Sequence, residues 1–199
     1  MSLSYMPPIE FYQIMVKYKN VIFDIHEHFH KQFYFNRCVI YGANGALKLS
    51  VPIVKNHVRT PLENVSIFYG QNWRTIHWRS IEAAYRRSPF FEYYEDAFRD
   101  IYMGTEPVKL LDWNLKLFEL INKLMGIEVN ISFTESYQKV YENVSDYRTL
   151  NVPKVKSDPV VKEIKYQQVF EEKYGFIKNL SVIDLLFCEG HYAKQMLLE

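Results

Sequence analysis

Phe11, Ile14, Met15 and Tyr18 recur at helical spacing behind Pro7-Pro8 and the short apolar run at residues 3–6, a pattern that predicts strand, proline turn, helix. Residues 21–29 are rich in β-branched and aromatic side chains, and Asp24, His26, His28 and His30 alternate with Ile25, Glu27 and Phe29. That alternation predicts a strand with one polar face. Two more strand-like runs between residues 33 and 54 flank Gly42-Ala43-Asn44-Gly45. The Asn-Gly step can supply the positive φ angles of a tight turn, so this stretch reads as a hairpin.

Residues 65–69 repeat the strand pattern, and Gln71-Asn72 then stands where a helix N-cap is expected, just before Trp73. The helix starting there should turn Ile76, Ile81, Ala84 and Tyr85 inward and stop near Pro89. Further helices are predicted over 91–102 and 108–125, the latter closed by Gly126 in a left-handed cap. Residues 127–133 read as a short strand, and 142–165, with Pro153 and Pro159, as a loop. A last amphipathic stretch at 181–187 begins with Ser181 three residues before Asp184, close to a capping box.

The pattern describes an α/β domain spanning residues 1–199, with a mixed sheet of about four to six strands, a hairpin at 33–54, and the helices of the middle third packed on it. A doubly wound arrangement and an α+β arrangement both remain open. With 48% hydrophobic and 17% aromatic residues the chain can fill a sizeable core. A formal charge of +1 provides no basic field for nucleic acid. Cys38 and Cys188 lack the companions of a zinc or redox motif. No basic leader and no apolar run of about 20 residues occurs, so the expectation is a cytoplasmic protein without a membrane span.

Three clusters carry candidate chemistry. On a strand, Asp24, His26, His28 and His30 would share one face, and neighbouring imidazoles there, about 6.6 Å apart in Cα, could reach one zinc or iron ion. A solvated polar face is the competing reading. Lys31, Asn36 and Arg37 suit a phosphate or carboxylate, although Lys and Arg also guard strand edges. His77 and Ser80 share a helical face with Trp73, which invites a nucleophile–base reading alongside an ordinary core one.

The ordered pieces Pro7-Pro8-Ile9-Glu10-Phe11-Tyr12, Asn36-Arg37-Cys38-Val39-Ile40, Ser50-Val51-Pro52-Ile53, His77-Trp78-Arg79-Ser80-Ile81, Ala84-Tyr85, Tyr166-Gln167-Gln168-Val169-Phe170 and Leu180-Ser181-Val182-Ile183-Asp184-Leu185-Leu186-Phe187 together resemble the WbqC-like family of bacterial proteins. That family is named for a member encoded in a surface-polysaccharide gene cluster. The resemblance implies transfer of an amino-acid or acyl group, and it carries Lys31, Asn36, Arg37, His77, Ser80, Tyr85, Gln167, Ser181 and Asp184 forward as candidate site residues. On this reading His77, with Lys31, serves catalysis, while Asn36, Arg37, Ser80, Tyr85, Gln167 and Asp184 hold a small-molecule or activated-sugar substrate. No residue pattern specifies a cofactor. The chain departs from the family at Ser4-Tyr5-Met6-Pro7, at Ile25-His26 in place of an acidic pair, and in lacking a Gly-rich stretch within 142–165.

Two alternatives stand beside the transferase. One is a metal-dependent hydrolase or isomerase built on Asp24, His26, His28 and His30. The other is a non-catalytic binding or scaffolding protein, suggested by 16 tyrosines and 14 phenylalanines, and on any of these readings an oligomer stays open.

Overall fold

The computed structural model describes residues 1–55, 59–152 and 161–199. The first helix, α1 (Ile9–Tyr18), follows Pro8 and buries Phe11, Tyr12, Ile14 and Met15, as its spacing predicts. Lys19, at φ 57°, ends it and turns the chain directly into strand β1 (Asn20–Phe23). The expected strand at residues 3–6 is absent. Met6 adopts φ 42°, and Tyr5 instead donates its N–H to the Tyr34 carbonyl.

Strands β2 (Arg37–Gly42) and β3 (Gly45–Ser50) form the predicted antiparallel hairpin. The positive φ falls on Gly45 alone, at +97°, and not on Asn44. Residues 65–69 and their neighbours make only isolated bridges, Ile53 to Ile67 and Ser66 to Lys109.

Helices α2 (Trp73–Tyr85), α3 (Phe91–Met103) and α4 (Leu110–Met125) occupy the middle third. Gly126, at φ 63°, closes α4, and the Ile127 N–H returns to the Asn122 carbonyl at 2.9 Å, the bond of a Schellman cap. Two details of α2 differ from expectation. The Asn72 side chain makes no cap bond, and Ile76 is 59% exposed while Trp73, His77 and Trp78 turn inward with Ile81, Ala84 and Tyr85.

Strand β4 (Asn130–Phe133) is shorter than the run that predicted it and pairs with β1 in parallel, Asn20 against Asn130 through Phe23 against Phe133. The expected larger sheet is thus replaced, among the described residues, by two separate pairs, one parallel and one antiparallel. Helices with a small mixed strand content fit either α/β or α+β.

Two elements near the C-terminal end, α5 (Glu171–Tyr174) and α7 (Ala193–Leu198), bracket α6 (Val182–Glu189). The capping box expected at Ser181 does not form, because its hydroxyl donates to the Met6 carbonyl at 2.8 Å and Asp184 faces the core. The chain before α6 is stitched to the start of α1 by Ile9 N–H to Leu180 O and Val182 N–H to Pro7 O. Around α1 pack α6 and α7, while α2 lies on α3 and on β2. Apolar side chains from all of these join one buried cluster that includes Trp113, Phe118, Phe98 and Phe187.

Gly190 ends α6 at φ 57°, ψ −124°, a conformation open in practice to glycine alone. A Cβ there would meet the Phe90 ring at 2.4 Å. Gly190→Ala should therefore cost about 2–4 kcal/mol, read as a lowered urea midpoint at unchanged slope.

Candidate functional site

Strand β1 stops at Phe23 because Asp24 turns its own carboxylate back on the chain. Oδ1 accepts the N–H groups of His26 at 3.1 Å and Glu27 at 3.0 Å, an Asx-type turn that competes with the strand ladder. The polar strand face expected at Asp24, His26, His28 and His30 therefore does not exist. His26 Nδ1 meets Glu63 Oε1 at 3.2 Å, His28 stacks on Tyr137, and His30 lies against Phe33.

Because β1 and β4 are parallel and in register, Asp24 and Thr134 leave the pair side by side at its carboxyl end. Thr134 Oγ1 donates to Asp24 Oδ1 at 3.2 Å, while the Tyr141 hydroxyl at 3.2 Å and Arg148 Nη1 at 3.0 Å donate to Oδ2. Asp24 is 2% exposed, so five donors compensate the loss of its hydration.

Arg148 is equally committed. Its Nε donates to Asp146, Nη1 to Asp24 and the Gln138 carbonyl, and Nη2 to Asp146 and the Lys139 carbonyl. The guanidinium also lies over the Tyr141 ring at 4.8 Å. Hydrogen bonding from Arg148 pulls the Asp146 carboxyl below its usual range. Nearby, burial pushes the Glu27 carboxyl up to about 7, against the hydrogen bond donated by the Ser2 hydroxyl.

This clasp forms one wall of a cleft of about 940 Å³. Tyr18 from the end of α1, Asn20 and Ile22 of β1, Phe133 of β4 and residues 134–136, 138 and 140–148 line the rest. Tyr18 and Tyr147 pack with ring centroids 5.6 Å apart and hydroxyls 2.9 Å apart. Clefts of this size suit small ligands, and this one reaches past the carboxyl ends of the parallel pair at Asp24 and Thr134.

The residues singled out by the sequence lie elsewhere. Lys31 is exposed, and its carbonyl accepts a bond from the half-buried Arg37 guanidinium, so the structure does join those two. Asn36 is buried and donates to Val51 O at 2.7 Å. His77 is 4% exposed, with Nδ1 2.9 Å from the Tyr5 hydroxyl and a further bond to the Ser50 backbone. Burial lowers its pKa to about 4, leaving the ring neutral near pH 7. Ser80 donates to the Ile76 carbonyl at 2.8 Å, so no bond joins it to His77. None of Lys31, Asn36, Arg37, His77, Ser80, Tyr85, Gln167 and Asp184 lines the cleft.

Tyr85 and Asp184 nevertheless meet. Asp184, fully buried, accepts the hydroxyls of Tyr85 and Tyr166 at 2.6 Å each and the Gln168 amide at 3.2 Å. The Tyr85 hydroxyl in turn accepts the Tyr41 N–H at 3.1 Å, tying α6 through α2 to β2. Gln167, beside it, is exposed, and its backbone bonds Glu189. Burial pushes the Asp184 carboxyl up to about 6 despite three donated hydrogen bonds.

Among the described residues no three His, Cys, Asp or Glu side chains are placed to share a metal ion. Both cysteines are buried free thiols, raised by burial. No helix among the described residues is long and apolar enough to cross a membrane.

Fold and cleft thus define a mixed helix-and-strand protein with a ligand-sized opening along a parallel strand pair. The model of the WbqC-like protein family matches residues 4–155, and the chain belongs to that family. Comparison with curated proteins and with solved structures gave no match. The matched span contains the whole Asp24–Arg148 clasp and stops short of Tyr166, Gln168 and Asp184.

Proposed function

We propose that this chain is a transferase of surface-polysaccharide or nucleotide-sugar metabolism, moving an amino-acid or acyl group onto a small molecule held in the Asp24–Arg148 cleft. The observation that carries the reading is the cleft itself: about 940 Å³ of open space, walled by an ion-pair clasp, running along β1 to the carboxyl end of β4. Family membership supports the metabolic setting. Lys31 and Arg37, joined on the surface, remain the proposed contacts for an anionic part of the donor, with Asn36 holding the backbone beneath them.

His77 was expected to act as general base. Its burial and its two occupied hydrogen-bonding directions support a packing role, and Glu27, whose backbone N–H bonds Asp24 but which does not itself line the cleft, has the pKa that better suits a proton acceptor. A carboxyl that titrates near pH 7, one turn from the end of β1, has the pKa that proton transfer at neutral pH favours.

Val144 lies on the cleft wall and is 47% exposed, so Val144→Trp should fill the cleft without disturbing the core. In a strain lacking the chain, wild type should restore the missing acyl or aminoacyl mass on the surface polysaccharide, and Val144→Trp should restore less than about a tenth of it, a loss of 1.4 kcal/mol or more in transition-state terms. Full restoration by the filled variant would remove the cleft from the reaction.

A second reading, binding without catalysis, draws on Ile22, Ile131 and Phe133, three apolar side chains left 38–43% exposed on the parallel pair. Turnover of any acyl donor in the purified protein would set it aside.

A further inference from the structure

Beside neutral amides and hydroxyls such as Asn143 and Ser145, the unpaired charged groups of the cleft wall are of one sign among the described residues. Arg148 is the one Lys or Arg on its walls among the described residues, and all five of its N–H groups are already given to Asp24, Asp146 and two backbone carbonyls. It has no donor left for a phosphate or carboxylate. The Met1 amino group, also on the wall, donates to the Ile22 carbonyl, and burial lowers its pKa.

Four carboxylate side chains line the same cleft. Asp24 and Asp146 are neutralised by Arg148, whereas Glu135 and Glu142 are exposed and hold no hydrogen bond or ion pair among the described residues. The apolar part of the wall is largely aromatic, from Tyr18, Tyr147, Tyr141 and Phe133. Acidic oxygens beside tyrosine rings attract a cation twice, by direct charge and by the ring quadrupole, and repel an anion.

We infer that the cleft takes an amine-bearing ligand, a primary ammonium on a ring-sized polar molecule, paired with Glu135 and Glu142 and packed against Tyr18 and Tyr147. This rests on the cleft being the substrate site. It makes the cleft the place of the amine acceptor, which leaves any phosphate-bearing donor to a different surface. The same chemistry disfavours an anionic occupant such as a nucleoside diphosphate.

Three probes matched in ring size separate the outcomes: glucosamine, N-acetylglucosamine and glucose 1-phosphate, each titrated by NMR to about 10 mM, well above the millimolar Kd of a weak small ligand. Glucosamine should bind at least about tenfold more tightly than either other sugar, weakening as salt rises. Glu135→Gln combined with Glu142→Gln should reduce its affinity about tenfold, the effect of losing two partly exposed ion pairs. No glucosamine binding, or binding indifferent to both Glu substitutions, overturns the inference. Glucose 1-phosphate bound and blocked by Val144→Trp would also overturn it while leaving the cleft as the substrate site. Glucosamine bound equally by wild type and Val144→Trp would sink both.

Discussion

Asp184→Ala should lower the stability of the folded chain by about 3–5 kcal/mol, the range for stripping the partner from buried polar groups that have no water to turn to. The alanine strands the hydroxyls of Tyr85 and Tyr166 and the amide of Gln168, all buried, and loosens the link from α6 through Tyr85 to the Tyr41 N–H of β2. Asp184→Asn keeps the shape and removes the charge, so it isolates the electrostatic part. The carboxyl titrates at about 6 in the folded protein against 3.8 ordinarily, so the folded state holds the proton more tightly. Its contribution is therefore complete below about pH 4 and disappears as pH rises through about 6, by on the order of 3 kcal/mol in all. His77 acts in the opposite sense: kept neutral by burial, it contributes fully above pH 6.5 and loses that contribution as pH falls toward 4. The difference in urea stability between wild type and Asp184→Asn cancels His77. It should shift in favour of the asparagine as pH is raised from 4 to 7, and a flat difference would mean the carboxyl is not strained by burial.

The family resemblance carried Tyr85 and Asp184 forward together, and their burial gives that pairing a physical basis. A tyrosine at a helix-interior apolar position and an aspartate inside an apolar helical run must be buried, and buried polar groups must find each other. What the pattern could not convey was the partner. The serine ahead of Asp184 looked like half of a capping box, whereas tertiary bonds from α2 and from Tyr166 claimed the carboxylate instead.

The long helices were legible for a similar reason. Two or three turns of consistent period outweigh local noise, and Gly126 marked the end of α4 to the residue. Strands were over-read. Residues 65–69 and 127–129 have the β-branched composition of strands, yet they cross the core as extended chain whose N–H and C=O groups find scattered partners such as Val108 and Asn122. Composition registers burial of extended chain and does not register whether a neighbouring strand lies alongside.

The cleft was hardest to see. Its clasp joins Asp24 to Arg148, and Arg148 sits in a stretch with no period at all. Asp24 drew attention as a metal ligand because it alternates with three histidines, and the alternation meant nothing once its own side chain ended the strand. The signal that existed was a lone Arg flanked by Asp146 and tyrosines in a proline-bearing loop, a composition suited to pinning irregular chain onto a carboxylate.

Arg148→Ala should cost about 3–5 kcal/mol, because it leaves Asp24, 2% exposed, as a buried carboxylate without its cation. The loss reaches further than one ion pair. The same guanidinium holds the carbonyls of Gln138 and Lys139 and the Asp146 carboxylate, so residues 138–148 keep, among the described residues, only the Tyr141 hydroxyl as a side-chain tie to Asp24 and should exchange amide hydrogens faster than in wild type. Arg148→Lys separates charge from geometry. A lysine restores one positive charge but offers three donors from a single nitrogen, which cannot reach Asp24, Asp146 and two carbonyls together. It should recover less than half of the lost stability. Removing both partners should be milder than removing Arg148 alone, since Asp24→Ala with Arg148→Ala leaves no unpaired charge in the core, and the double-mutant cycle should show a coupling of about 2 kcal/mol or more. Additive single effects would mean that the two side chains meet without depending on each other. In that event the wall of the cleft is held by backbone contacts such as Thr134 N–H to Phe23 O, and the ligand site would survive loss of the clasp.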